Sequence, residues 1–366
     1  MLEEALELQD ELVQLRRHFH SHPELSFEEH ETAAFVADYL EKADFRIRKG
    51  FGETAVVADL GPAPYIAIRA DLDALPIHEQ NVSAHVSRKQ GVMHACGHDA
   101  HMAVVLACGK LLARKGGLLK KGLRLIFEPG TESNERSGAK ELLAAGVLDG
   151  VEGLLGFHVD STVPVFDVMI VKDLALHSAV LNLQICTGTE PEKQGSDYLI
   201  LQSAKLISKL KEVLPGNYGR SELKRLELLE LKQEAAKMTL RASLNADSAD
   251  DLTAALAQLE AVCQAHSASI NSDLNSDLGS QSQRISAQYL ETLIAELPSP
   301  GKCKVTSRRA WSKDFEMYAE KVPSAFFYLG TSCGTRTHHS ASFELDERAL
   351  YLALAIMAKT VLSLAL

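Results

Sequence analysis

Residues 2–20 carry apolar side chains at three- and four-residue intervals among charged ones, the spacing of an amphipathic helix, and residues 28–43 repeat the pattern. The next apolar segments are shorter. Residues 54–60 and 65–69, bounded by Gly and Pro, read as strands. A helix over 100–114, a strand over 122–127, a helix over 138–145 and a strand over 153–159 follow. Apolar strands alternating with helices predict an α/β fold, a mainly parallel sheet with helices on both faces. Ligands bind such sheets at the carboxyl ends of the strands.

From about residue 177 the texture changes. A strand over 179–186, a helix over 199–213, a strand over 236–244, a helix over 250–266 and a short strand over 267–272 form a β-α-β-α-β series, expected as an inserted α+β domain. The polar stretch 271–282 suits a return linker. A helix over 285–297, strands over 303–307 and 324–329 and a helix over 347–364 then resume the first style. The expected organisation is a discontinuous domain of residues 1–176 and 281–366, interrupted by a smaller one at 177–280.

A chain of 366 residues with 46% hydrophobic content can bury a large core, and its length suits two domains. A net charge of -11 argues against a nucleic-acid partner, since a phosphate-binding surface needs a cationic stripe and the Lys and Arg residues are scattered. The acidic first helix lacks the basic start of a secretion signal, and no uninterrupted apolar run is read as membrane-spanning. The six cysteines are spread along the chain, unlike a disulfide framework. The expectation is a cytoplasmic protein without a membrane partner.

Candidate chemistry gathers at a few strand ends. "HACGHDAH", residues 94–101, puts three histidines, a cysteine and an aspartate just before a helix, and imidazole and thiolate suit borderline-soft divalent metals. In an extended Cys-Gly-His stretch Cys96 and His98 point the same way; the alternative is a His-rich turn with a buried cysteine. "RADLDALPI" offers Asp71 and Asp73 either as acceptors that orient an imidazole or as caps of the turn before Pro76. His158 ends a strand, and His338 and His339 sit in a polar loop before the last helix.

Taken together, "RRHFHSHPELSFEEHETA", "RADLDALPI", "GVMHACGHDAH", "LRLIFEP", "GAKELLAAGVLDGVEGLLGFHVD" and "HSASFELDE" resemble the metal-dependent aminoacylase and carboxypeptidase superfamily. The closest branch is the amidohydrolases that include hippurate hydrolase, auxin-conjugate hydrolases and N-acetyldiaminopimelate deacetylase. The resemblance implies a two-metal site on the parallel-sheet domain and a lid domain that also forms a homodimer. It places metal ligands at Cys96, His98, Glu132, His158 and His339, with Asp71 as the orienting acid. Manganese, zinc, cobalt or nickel would suit those donors. The implied reaction is hydrolysis of an N-acyl amino acid or small peptide amide, the metals activating a water and polarising the carbonyl.

The chain departs from that pattern at three places. A family strand end like "FQPAEE" appears here as "FEPGTE", so Thr131 stands at the general-base position and Glu132 at the ligand position. Loss of the base would cost on the order of a hundred- to ten-thousandfold in rate. The lid's Gly-Gly-His motif has no counterpart in "LQICTGTEPEKQGSD", and His177 is a poor substitute by position. A pattern like "SEDF" appears as "SKDF", with Lys313 in place of an acid and Asp314 kept. One expectation is a hydrolase whose base has moved, to Glu135 or Glu128, with weak or altered activity. Another is an inactive relative that keeps the metal pocket for binding, regulation or structure. A third is a chain that keeps only the fold.

Overall fold

The computed structural model describes residues 1–133, 135–171, 177–186, 196–213, 224–234, 237–246, 249–266, 268–274, 285, 287–306, 313–334 and 337–365. The chain divides into two compact units, Met1–Leu174 with Gln281–Leu366, and Ala175–Ser280.

The first unit runs α1 (Leu2–Glu7), α2 (Gln9–Ser21), α3 (His30–Glu41), β1 (Arg46–Arg48), β2 (Val56–Leu60), β3 (Tyr65–Asp71), α4 (His98–Ala113), β4 (Gly122–Glu128), α5 (Gly138–Ala144), β5 (Val151–Asp160) and β6 (Val168–Val171). The second unit contributes β7 (His177–Cys186), α6 (Ser196–Val213), β8 (Lys224–Glu234), β9 (Lys237–Ala246), α7 (Ala249–Ala265) and β10 (Ala268–Leu274). The chain completes the first unit with α8 (Ala287–Ala295), β11 (Cys303–Thr306), α9 (Lys313–Ala319), β12 (Ser324–Gly330) and α10 (Leu350–Ala365).

The eight strands of the first unit are ordered β1-β2-β4-β3-β5-β12-β6-β11. The centre, β4, β3, β5 and β12, is parallel. β1, β2 and β6 make the antiparallel pairings. Strand alternation feeds a core on each face. Ile66, Ile68, Leu125 and Phe157 pack toward α4 and α10. Tyr65, Ala67, Ile126 and Phe326 pack with Leu142 of α5 and with Phe315 and Tyr318 of α9. Two-faced burial is why these strands read as apolar runs. Fully buried Arg16 ties α2 to Asp99 in the first turn of α4 at 2.8 Å and to Glu344 at 2.9 Å, which fixes the end of α4 that carries His98.

In the second unit four antiparallel strands are ordered β10-β7-β9-β8. Their core joins Leu181, Leu183 and Leu240 to Leu206 of α6 and Leu259 of α7. The order is β-α-β-β-α-β, one strand more than expected. β8, "KRLELLELKQE", is built of Leu, Glu, Lys and Arg, which favour helix; its long pairing with β9 overrides that preference. Residues 187–195, within the stretch that lacks the expected Gly-Gly-His motif, lie outside the described residues, as does the side chain of His177.

Three shorter elements, β1, β6 and α9, also went unread, and the expected first helix is two, because Leu8 turns away with φ -94° and ψ 3°. Glu347–Ala365, broken by Lys359, is not an uninterrupted apolar run but is long and apolar enough on average to match a membrane span by length and composition. It is 67% buried, packed against α1 and α4 as a core helix.

Candidate metal centre

The carboxyl ends of β3, β4 and β5, the start of α4 and the loop before α10 converge. β4 closes at Glu128 into Pro129 and Gly130, whose φ of 67° leaves it against the Phe27 ring, where a Cβ would lie 2.2 Å away. The Gly130 N–H donates to buried Glu29 at 2.9 Å. This turn aims the next two residues at Asp73: the Thr131 hydroxyl donates to its Oδ1 at 2.7 Å and the Glu132 N–H to its Oδ2 at 2.8 Å. Ser26 adds a third donor to Asp73 at 2.7 Å.

Cys96 and His98 meet differently from the extended geometry expected. Gly97 between them takes φ 92° and serves as the N-cap of α4, so the chain turns rather than runs on. His98 Nδ1 donates to the Asp73 carbonyl at 2.8 Å, which turns Nε2 toward Glu132 Oε1, 3.6 Å away. His158 Nδ1 donates to the Val159 carbonyl at 2.6 Å, and its Nε2 lies 3.5 Å from Cys96 Sγ. His339 arrives from the far loop with φ 60°, its N–H held by the Ala95 carbonyl at 2.8 Å. Its Nε2 stands 3.3 Å from Cys96 Sγ and 3.5 Å from Glu132 Oε1.

Two donor groups therefore share Cys96: Cys96 with His98 and His158, and Cys96 with Glu132 and His339, each with ligand atoms within 4.8 Å of one another. His338 does a different job, accepting from the Ser161 N–H at 3.1 Å. A third group, Asp71 with His98 and His101, is bound internally. His101 Nδ1 donates to Asp71 at 2.6 Å and its Nε2 accepts the Val159 N–H at 3.0 Å. The Asp71 carboxylate thus holds His101 and stays 3.7 Å from His98, whose ring is oriented by a backbone carbonyl instead.

The electrostatics favour a cation. Burial opposes charge on His98, yet Asp71, Cys96 and Asp73 hold it well above the ordinary histidine range. Cys96 and Glu132 raise His339 to about 10. Burial, then His101 and His338, push His158 far down, into the neutral form that binds metals. Asp71 is kept well below the usual carboxylate range by His98, His101 and Arg69 against the effect of burial. The donor set, thiolate, imidazole and carboxylate with oriented rings, fits divalent transition metals.

Among the described residues, neither residue considered as a relocated base makes a hydrogen bond or ion pair with the ligand atoms. Glu135 is exposed, with its N–H on Ser133 Oγ at 3.3 Å. Glu128 is fully buried and accepts from Arg69 Nε at 2.7 Å. Asp314 accepts from the Ser137 hydroxyl at 3.0 Å, while the Lys313 side chain is outside the described residues. Sequence reasoning offered Asp73 as an acceptor that orients an imidazole, but missed its hold on the Glu132 loop, the role of His101 and the anchoring roles of Ser26 and Glu29. Only His101 left a signal, three residues after His98 on the same helical face.

The family model described as Peptidase family M20/M25/M40 matches residues 67–363. A Synechocystis chain named "Probable hydrolase" is 32% identical over 93% of this chain and 92% of its own. An N-acetylcysteine deacetylase of Bacillus subtilis is 30% identical over 93% of each. A solved Bacillus subtilis structure, titled a dinuclear metal binding peptidase, superposes with a TM-score of 0.78 at 27% identity and covers 98% of this chain and 99% of its own.

Proposed function

The chain belongs to peptidase family M20/M25/M40, and from that premise we propose that it is a metal-dependent hydrolase of N-acyl amino acids or small peptide amides, slowed by the replacement of its general base. The observation that carries the reading is the approach of His158, His339, His98 and Glu132 to Cys96 from separate elements, with both imidazoles bound through Nδ1 presenting Nε2. Cys96, His98, Glu132, His158 and His339 would hold two divalent ions. When bound, such ions polarise an amide carbonyl and make water a stronger acid.

The protein's own groups account for the rest. Asp73 fixes both the loop that carries Glu132 and the ring of His98, so two ligands share one anchor. Asp71 holds His101 against the strand end beside His158. Thr131 occupies the base position but spends its proton on Asp73, and a hydroxyl has too little basicity to take another near neutral pH. That bond also favours the second reading, a metal-binding relative that does not turn over. In either reading the second unit serves as the lid and dimerisation domain.

Metal analysis of the purified protein, with a screen of N-acyl amino acids, tests the proposal. Bound metal with slow turnover supports the slowed hydrolase, and bound metal without turnover supports the second reading. Unchanged metal content in Cys96→Ala would refute the ligand set.

A further inference from the structure

Behind Asp71, on the sheet face opposite α4, lies a buried polar group that the ligand set does not use. Asp71 and Glu128 are register partners at the ends of β3 and β4. One fully buried guanidinium serves both: Arg69 Nη1 donates to Asp71 Oδ2 and Arg69 Nε to Glu128 Oε2, each at 2.7 Å. α9 presents Asp314 and the buried Tyr318 hydroxyl to the same spot. α5 presents Gly138, where an added Cβ would lie 3.1 Å from Glu128 Cγ. Among the described residues Arg69 Nη2 and Glu128 Oε1 are buried without a close hydrogen-bond partner, and the buried Tyr318 hydroxyl faces Glu128.

We infer that Glu128 is a positioning residue of the metal centre, whose charge acts through Arg69 on Asp71 and makes the affinity for divalent ions depend on pH. The inference rests on the metal-binding reading above. Two carboxylates share one positive charge, and Asp71 has His98 and His101 besides. Asp71 therefore remains ionised and the proton goes to Glu128. Burial, with Asp314 and Asp71 adding to it and Arg69 opposing, pushes Glu128 up to about 8. Below that pH Glu128 is neutral and Arg69 is left to Asp71. Above it, a second anion draws on the same guanidinium, so Asp71 is less neutralised and the field at His98 becomes more negative. A cation at the ligands is then held more tightly.

The experiment is calorimetric titration of the full chain with Mn²⁺ across the pH at which Glu128 ionises, for the wild type, Glu128→Gln and Tyr318→Phe, with circular dichroism as the check on folding. Wild-type affinity should gain about three- to tenfold over that range beyond the gain seen in Glu128→Gln, whose amide still accepts from Arg69 but carries no charge. Tyr318→Phe removes the hydroxyl facing the carboxylate and should move the step to higher pH. Infrared spectra of the metal-free protein give a reading independent of metal: a protonated carboxyl band below the step, absent in Glu128→Gln. Parallel wild-type and Glu128→Gln curves, or a loss equal at every pH, would overturn the inference. A carboxyl band without any Mn²⁺ binding would overturn the metal-binding reading and with it the role of Glu128, while leaving its protonation established.

Discussion

The Thr131 hydroxyl donates to Asp73 beside the proposed ligand Glu132, so a hydrogen-bond donor stands at the proposed base position. Thr131→Glu should raise kcat on N-acyl amino acids about a hundredfold or more, the span assigned to a placed base. Steady-state kinetics on the metal-loaded variant check this, and unchanged kcat with normal metal content would put the base elsewhere. Asp73 accepts from Ser26, Thr131 and Glu132 and lends its carbonyl to His98. Asp73→Asn exchanges a double acceptor for a group that can accept on one side only, so metal affinity should fall about ten- to a hundredfold. A competition titration with a chelator reads it. Cys96, His98, His158 and His339 drew attention by residue type and clustering, while Glu132 and the set of five came from the resemblance to the family. Asp73 was legible as a candidate acceptor, but its hold on the Glu132 loop was not, since that rests on contacts from residues 47 and 58 positions away, which no local pattern records.

At the scale of elements, the turn from Cys96 into α4 carries the most constraint. Gly97 has φ 92°, and a Cβ there would stand 2.3 Å from Val159 Cγ2 on β5. Gly97→Ala must both strain the backbone and push β5 aside, so it should cost about 2–4 kcal/mol and lower metal content as well. Thermal melting and metal analysis of one preparation test both effects. A full metal load at an unchanged melting temperature would contradict them. Sequence periodicity located the long helices and the two-faced strands because their burial is decided by many residues at once. It missed β8, whose Leu, Glu and Lys composition favours helix until β9 pairs with it, and α9, a seven-residue helix that leaves the pattern too short to read. Leu8 broke the first helix without any Gly or Pro to announce it.

For the whole molecule, the alternation of strands and helices was enough to predict a mainly parallel sheet, while the antiparallel edges could not be read because strand direction is set by partners far away in sequence. The same long-range assembly buries Glu128 fully in the interior it shares with β3 and α9. Its folded pKa of about 8 lies above the value of 4.5 it has when exposed. Between these limits the folded chain holds a proton that the unfolded chain has released, so stability is fully present below 4.5 and is lost as pH rises through about 8. Glu128→Gln keeps the acceptor for Arg69 and has no proton to lose. It should therefore match the wild type in acid and exceed it increasingly with pH, reaching on the order of 3–5 kcal/mol. Denaturant melts of metal-free wild type and variant at matched pH values measure the difference. A gap that does not widen with pH would mean that Glu128 ionises as an ordinary carboxylate.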